Sequence, residues 1–223
     1  MITNQSACTL IASKLLEITP PTVQDFCYIS DNSYTVKEIL DCEAKICSAL
    51  KFNLNFTTAY EYVDLFLRAS FASSGRVSNV ALKEMVEKMI FYFLDLSLLE
   101  YKFVGVKPSL VAAAALYLTR ATLGIREATR EVQKQDSSPL FNPVKVMFGD
   151  SFLRSSKGFW SKTLQHYTGY DIWDLEKSVK MLRRLHENAE TNNLKSVYAK
   201  FKSEKMGQIA FKTVLNEDDL GFF

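Results

Sequence analysis

The feature that most constrains this chain is the spacing of its apolar residues, which recur at intervals of three and four almost everywhere. That spacing brings them to one face of an α-helix, whereas a half-buried strand needs strict alternation. One stretch, about Asn79 to Leu99, places Leu82, Val86, Met89, Phe93 and Leu96 in this way. The eight glycines and five prolines lie mostly between the periodic segments, because both residues destabilise helix interiors. The pattern predicts an all-α protein.

Composition and charge exclude several classes of protein. Apolar residues make up 48% of the chain and charged residues 23%, which is typical of a globular fold rather than a disordered segment. The net charge is only +2, without a clustered basic face that would attract nucleic acid or a membrane surface. The most apolar run, Ser109 to Thr119, is too short to cross a bilayer. We therefore expect a soluble intracellular protein with neither a nucleic-acid nor a membrane partner.

No residue pattern indicates catalysis or a bound cofactor. The four cysteines, Cys8, Cys27, Cys42 and Cys47, lack the spacing of zinc ligands and lie far from both histidines. Because no signal peptide is evident, we expect them to be reduced thiols. No glycine-rich phosphate loop, nucleophile elbow or pair of catalytic carboxylates is found either. We expect no metal, no cofactor and no enzymatic activity of the chain itself.

Several helix starts carry recognisable capping residues. Thr35 and Glu38 have the pattern of a capping box, in which each side chain accepts a hydrogen bond from the other residue's backbone amide. We expect the helix after it to bury Ile39, Cys42, Ile46, Ala49 and Leu50. Thr58 and Glu61 open the next helix in the same way, and it is expected to bury Tyr62, Leu65 and Phe66. An alanine-rich helix after Pro108 is expected at the centre of a bundle, because alanine lets neighbouring helices approach closely.

The two halves of the chain echo each other weakly, which indicates a duplicated helical unit. In each half, a helix rich in small residues precedes a tyrosine, Tyr34 or Tyr170, that opens an amphipathic helix. The second half has about 31 additional residues between these features, and the polar stretch 125–158 is the predicted insertion. Ser73-Ser74-Gly75 is the best linker candidate. We predict a first domain over 1–74, a second over 75–206 and a tail over 207–223.

Ala12 to Pro21, with Ser13-Lys14 and the two prolines, is similar to a characteristic segment of the cyclin box. Asp25-Phe26 and Ser30 to Thr35 follow in the family's order, and Glu43 falls where the fifth helix of the box has a glutamate. Leu50 to Leu54 is similar to the segment that closes the box. The resemblance implies a cyclin fold of two helical repeats.

The second half agrees independently with the same family. Leu99 to Val104, Lys107 to Ala114, Leu164 to Tyr170 and Leu194 to Phe201 resemble the second repeat of B-type cyclins. The sequence segments that contain Tyr101 and Tyr198 are most similar to those of the third subtype of B-type cyclins.

Three departures from the family pattern stand out. The chain begins inside the third helix of the first repeat, so we expect that repeat to be incomplete, without the patch that docks substrate motifs or an N-terminal destruction signal. Leu16 stands where a glutamate is usual, and the insertion is atypical. Without the earlier helices, we expect Leu10, Ile11, Ile39, Ile46 and Leu50 to expose apolar surface.

The resemblance implies a regulatory subunit that binds and activates a cyclin-dependent protein kinase in mitotic or meiotic control, in the nucleus or also in the cytoplasm. The third and fifth helices of the first box would hold the C-helix of the kinase, whose position controls kinase activity. By position, Lys14 and Glu43 would be polar anchors, although such residues are also common on solvated helix faces. Apolar contact would come from Leu15, Cys47, Phe52 and Leu54, each of which could instead belong to the core.

Two other functions remain open from the sequence. The chain could be a truncated interaction module that binds a kinase without activating it. It could also be an adaptor of the transcription machinery with a cyclin fold, although the lack of basic helix faces disfavours DNA binding.

Overall fold

A computed structural model describes residues 2–72, 80–125, 158–214, 220 and 222, and these are helical with connecting turns and no strand. The prediction of an all-α protein is confirmed. The chain divides into two compact units, Met1–Phe56 and Thr57–Phe223. The predicted insertion, apart from its first and last residues, and the linker candidate Ser73-Ser74-Gly75 lie outside the described residues.

The first unit contains three helices: α1 (Ile2–Leu16), α2 (Val23–Ile29) and α3 (Val36–Ala49). The predicted capping box at Thr35 is present, and Thr22 forms a second one with Asp25 at the start of α2. Helix α1 packs against α3, and α2 packs against both. Four buried side chains of this unit form a small hydrophobic cluster: Leu10, Phe26, Cys27 and Ile39.

The buried face of α3 differs from the one expected. Ile39 is fully buried and Cys42 and Ile46 are partly buried, but Ala49 and Leu50 are exposed. The reason is that α3 ends at Ala49, with Leu50 as its C-cap, so these two residues are at the helix end beyond the packed turns. The expected exposure of Leu10, Ile11 and Ile39 is wrong, because all three are buried, and Leu10 and Ile39 belong to the cluster formed where α1, α2 and α3 pack together.

The second unit contains six helices among its described residues: α4 (Glu61–Ala72), α5 (Val80–Ser97), α6 (Pro108–Thr122), α7 (Lys162–Thr168), α8 (Ile172–Asn188) and α9 (Ser196–Lys202). Short 3-10 helices follow α5 at Tyr101–Phe103 and α9 at Glu204–Met206 and Ile209–Phe211. Helix α6 packs against α4, α5 and α8, and every side chain from Val111 to Ala121 is buried. The predicted central, alanine-rich helix is therefore observed.

Helix α4 belongs to the second unit, although the sequence placed it in a first domain ending at residue 74. Its buried side chains Val63, Phe66 and Leu67 are part of the same core as α6, whereas Leu65 faces solvent. The buried Arg120 of α6 reinforces this attachment, because its guanidinium donates to the backbone carbonyl of Ser70 at 3.2 Å and to the Ser70 hydroxyl. The boundary between the compact units consequently lies between Phe56 and Thr57.

The predicted tail, 207–223, also contributes to this core. Ile209, Ala210, Val214, Leu220 and Phe222 are buried. The hydroxyl of Tyr117, on the central helix, donates a hydrogen bond to the backbone carbonyl of Leu220. The Phe222 ring lies 5.4 Å from the Tyr117 ring, measured between centroids. The described part of the tail is thus packed structure rather than a free extension.

Candidate functional site

Lys14 and Glu43 form an ion pair on the first unit. The Lys14 Nζ atom lies 2.6 Å from Glu43 Oε1, although 29 residues separate them in the chain. The Lys14 side chain is 45% exposed and that of Glu43 is 17% exposed. The expected proximity of these two residues is confirmed. An ion pair at this degree of exposure contributes only about 0–1 kcal/mol to stability, so its main effect is to fix two polar side chains in one orientation.

The helix packing explains why these two side chains meet. Lys14 is four residues after Leu10 on α1, and Glu43 is four residues after Ile39 on α3, so each lies on the same helix face as a buried apolar residue. Leu10 and Ile39 belong to one cluster, which draws the two faces together. Lys14 also lies in the last turn of α1, where a positive charge interacts favourably with the helix dipole.

Phe52 is the most exposed of the four predicted apolar contacts, at 73%. It follows α3 in a left-handed backbone conformation with a φ of 57°, and Lys51 before it has a φ of 51°. The Phe52 amide donates to the Cys47 carbonyl at 2.8 Å, which closes the end of the helix. Residues other than glycine rarely adopt this conformation, and such positions are frequent in ligand-binding segments. The turn therefore holds an aromatic ring in solvent at the end of α3.

The other three apolar candidates have different surroundings. Leu15 is exposed next to Lys14, and Leu54 is partly buried. Cys47 is buried, so little of its side chain is available to a partner. The six predicted residues thus comprise one ion pair, two exposed apolar side chains, one partly buried side chain and one buried thiol.

Two further apolar residues beside this site are exposed and were not among the predicted contacts. Leu16, noted only as a departure from the family pattern, and Ile18 are both strongly exposed. These residues are exposed because the helix ends there: α1 ends at Leu16, and the segment up to Thr22 is non-helical and contains Pro20 and Pro21. The sequence indicated this end of the helix, since Pro20 and Pro21, shortly after Leu16, prevent the helix from continuing.

Two family descriptions match the chain in tandem. "Cyclin, N-terminal domain" matches residues 5–55, and "Cyclin, C-terminal domain" matches residues 57–137 and 146–215. The chain belongs to the cyclin family. The junction between the two cyclin matches coincides with the division between the compact units. Cyclins are regulatory subunits rather than enzymes, which agrees with the expectation that this chain is not an enzyme.

Plant cyclins of two types are among its relatives. The chain is 34% identical to Cyclin-A2-1 of Arabidopsis thaliana over 206 residues, and 36% identical to Cyclin-B1-1 of Oryza sativa subsp. japonica over 204 residues. Each comparison covers 92% of this chain but only 39% and 37% of the respective relative. The chain therefore spans about two fifths of the length of these cyclins. A-type and B-type cyclins match at similar identity, so they support the family and not the B type in particular.

A solved structure supports the fold. The X-ray structure of a viral cyclin from herpesvirus saimiri superimposes with a TM-score of 0.55, covering 82% of this chain and 64% of the viral chain. The two sequences are 17% identical, so this likeness concerns the cyclin fold alone. None of the helices that the structure describes is long and apolar enough to cross a membrane.

Proposed function

We propose that this cyclin binds a cyclin-dependent protein kinase through the surface of α1 and α3 and activates it. The observation that carries the proposal is the Lys14–Glu43 ion pair at 2.6 Å, with exposed Leu15 beside it and Phe52 at the end of α3. A surface that combines oriented polar groups with exposed apolar side chains is typical of a specific protein interface.

The chemistry of the pair suits a helix that must be held in one position. Lys14 has three ammonium hydrogens and uses one on Glu43, and Glu43 has a second carboxylate oxygen. Both residues can therefore bond to the C-helix of a kinase while remaining paired with each other. Kinase activation requires that this helix bring its glutamate to the phosphate-binding lysine, so a partner that fixes the helix also fixes the active site.

The finer identity is also part of this proposal. We infer a B-type cyclin, most similar to the third subtype, that acts in mitotic or meiotic cell-cycle control in the nucleus or also in the cytoplasm. The support is the sequence around Tyr101-Lys102-Phe103-Val104 and Leu194-Lys195-Ser196-Val197-Tyr198, which resembles that subtype.

The test replaces Lys14 and Glu43 together by alanine and measures both kinase binding and kinase activation. Removing a buried charged anchor at an interface costs about 2–5 kcal/mol, so affinity should fall about 30-fold or more. The matched control replaces Glu176 and Lys180, which form an ion pair of 2.7 Å on α8 in the second unit. Unchanged affinity in the Lys14/Glu43 variant would contradict the proposed surface. Binding of the wild-type chain without any rise in kinase activity would instead identify a non-activating module.

A further inference from the structure

The second unit exposes an apolar patch on the turn between α5 and α6. On this turn Leu98, Tyr101 and Val104 are 84%, 85% and 75% exposed. Single exposed apolar side chains are common in soluble proteins, but three within seven residues form a patch. Together with Lys102 and Lys107, these residues are called the turn patch below. The turn patch lies on a different unit from Lys14 and Glu43.

The backbone of the turn holds the patch in place. The Val104 amide donates to the Tyr101 carbonyl at 3.0 Å, and the Phe103 amide donates to the Glu100 carbonyl at 3.1 Å. In a 3-10 helix, side chains three residues apart lie over each other, so Tyr101 and Val104 share a face. Phe103 between them is buried in the core of the unit. This anchored turn presents its exposed side chains without further ordering, which reduces the entropy cost of binding.

The turn patch carries the positive charges of Lys102 and Lys107, and with the one carboxylate of the turn, Glu100, residues 98–107 have a net charge of +1. Lys102 and Lys107 are exposed, and neither takes part in an ion pair within the described part of the chain. The carboxylate of the turn, Glu100, accepts a hydrogen bond from the Lys102 backbone amide at 3.4 Å. The turn patch thus offers apolar area flanked by two ammonium groups.

We propose that the turn patch docks an acidic amphipathic segment of another protein. Apolar side chains of that segment would cover Leu98, Tyr101 and Val104, and its carboxylates would pair with Lys102 and Lys107. Opposite charges at the rim favour such a partner through both association rate and specificity. A second copy of this chain fits less well, because it would bring the same two positive charges to the contact. Nucleic acid fits less well because the patch has only two lysines, whereas affinity for a phosphate backbone grows with the number of cations that contact it.

The test selects peptides from a random display library on the purified full chain. The affinity of each selected peptide is then measured for Leu98→Ser, Tyr101→Ser and the double charge reversal Lys102→Glu/Lys107→Glu. Leu194→Ser, another exposed leucine of the second unit, is the matched control. All these positions are exposed, so the melting temperature of every variant should remain unchanged. Peptides that bind elsewhere are recognised because no patch variant affects them.

We expect a set of selected peptides that contain both carboxylates and apolar residues. Their affinity should fall about tenfold or more with each patch variant, remain unchanged with the control, and weaken as salt is added. The proposal is overturned if no selected peptide depends on the patch, or if those that do lack carboxylates and tolerate the charge reversal. A dimer in sedimentation that Tyr101→Ser dissociates would assign the patch to a second copy. Binding of a labelled oligonucleotide that the charge reversal abolishes would assign it to nucleic acid.

Discussion

Replacing Phe222 by alanine should destabilise the second unit strongly. Phe222 is only 4% exposed and packs on the ring of Tyr117, which extends from the central helix α6. Truncation of a buried phenylalanine leaves a cavity and costs about 3–5 kcal/mol. For a unit of this size, each kcal/mol lowers the melting temperature by about 2–4 °C. The expected decrease is therefore roughly 6–20 °C.

The measurement is thermal unfolding of the full chain, followed by circular dichroism at one protein concentration. The matched control is Phe211→Ala, the same substitution nearby in the chain, because the Phe211 side chain is 53% exposed. This control should cost about 1 kcal/mol, since about half of its surface is already in water. If Phe222→Ala lowers the melting temperature no more than Phe211→Ala does, Phe222 does not pack in the core and the reasoning is refuted.

Three further predictions follow from the packing. His186 Nε2 donates to the Lys212 carbonyl at 2.9 Å, its Nδ1 lies 2.9 Å from the Tyr92 hydroxyl, and burial lowers its pKa below the ordinary 6.5. As the pH falls, the unfolded chain therefore takes up a proton on His186 before the folded chain does. The unfolding free energy should decrease as the pH falls from about 6.5 toward the lower pKa of the folded chain. His186→Gln should reduce this dependence on pH, measured by urea titrations at several pH values. Ala114→Leu should destabilise by about 1–3 kcal/mol in the same titrations, because Ala114 is fully buried on α6 and a larger side chain in a packed core forces its neighbours to move. Hydrogen exchange should be faster in α1–α3 than in α6, and equal protection would contradict the difference in core size.

The apolar spacing was sufficient to predict the helices and most buried positions of α5 and α6. It worked there because these helices are long and their apolar faces are continuous, as at Val86, Met89 and Phe93. It failed at Leu65, which is exposed while Val63 and Leu67 are buried, since the orientation of a short helix depends on its neighbours. Periodicity specifies a face only when enough turns repeat it.

The domain boundary and the packing of the tail could not be predicted from the sequence, because both depend on contacts between residues that are distant in the chain. Ser73-Ser74-Gly75 has the composition of a linker. The helix before it, α4, is nevertheless bound to α6 by the hydrogen bond from Arg120 to the Ser70 carbonyl, across 50 residues of sequence. The tail packs against Tyr117, which is 103 residues away from Leu220. Similarly, the pairing of Lys14 with Glu43 was predicted from the family resemblance alone, because no local rule joins residues 29 positions apart.

The candidate kinase surface lies on the unit with the smaller interior. The buried cluster of the first unit contains Leu10, Phe26, Cys27 and Ile39, whereas the core cluster of the second unit draws on all six of its helices. Segments with few buried apolar contacts open at lower free energy. A partner that binds only the folded unit would stabilise it by about 2.7 kcal/mol at a concentration of 100 times its Kd. The exposed side chains Leu15 and Phe52 contribute little burial to the isolated first unit, and such a partner would cover them. Stability of the first unit should therefore depend on its partner, while the second unit completes its own interior with Phe222.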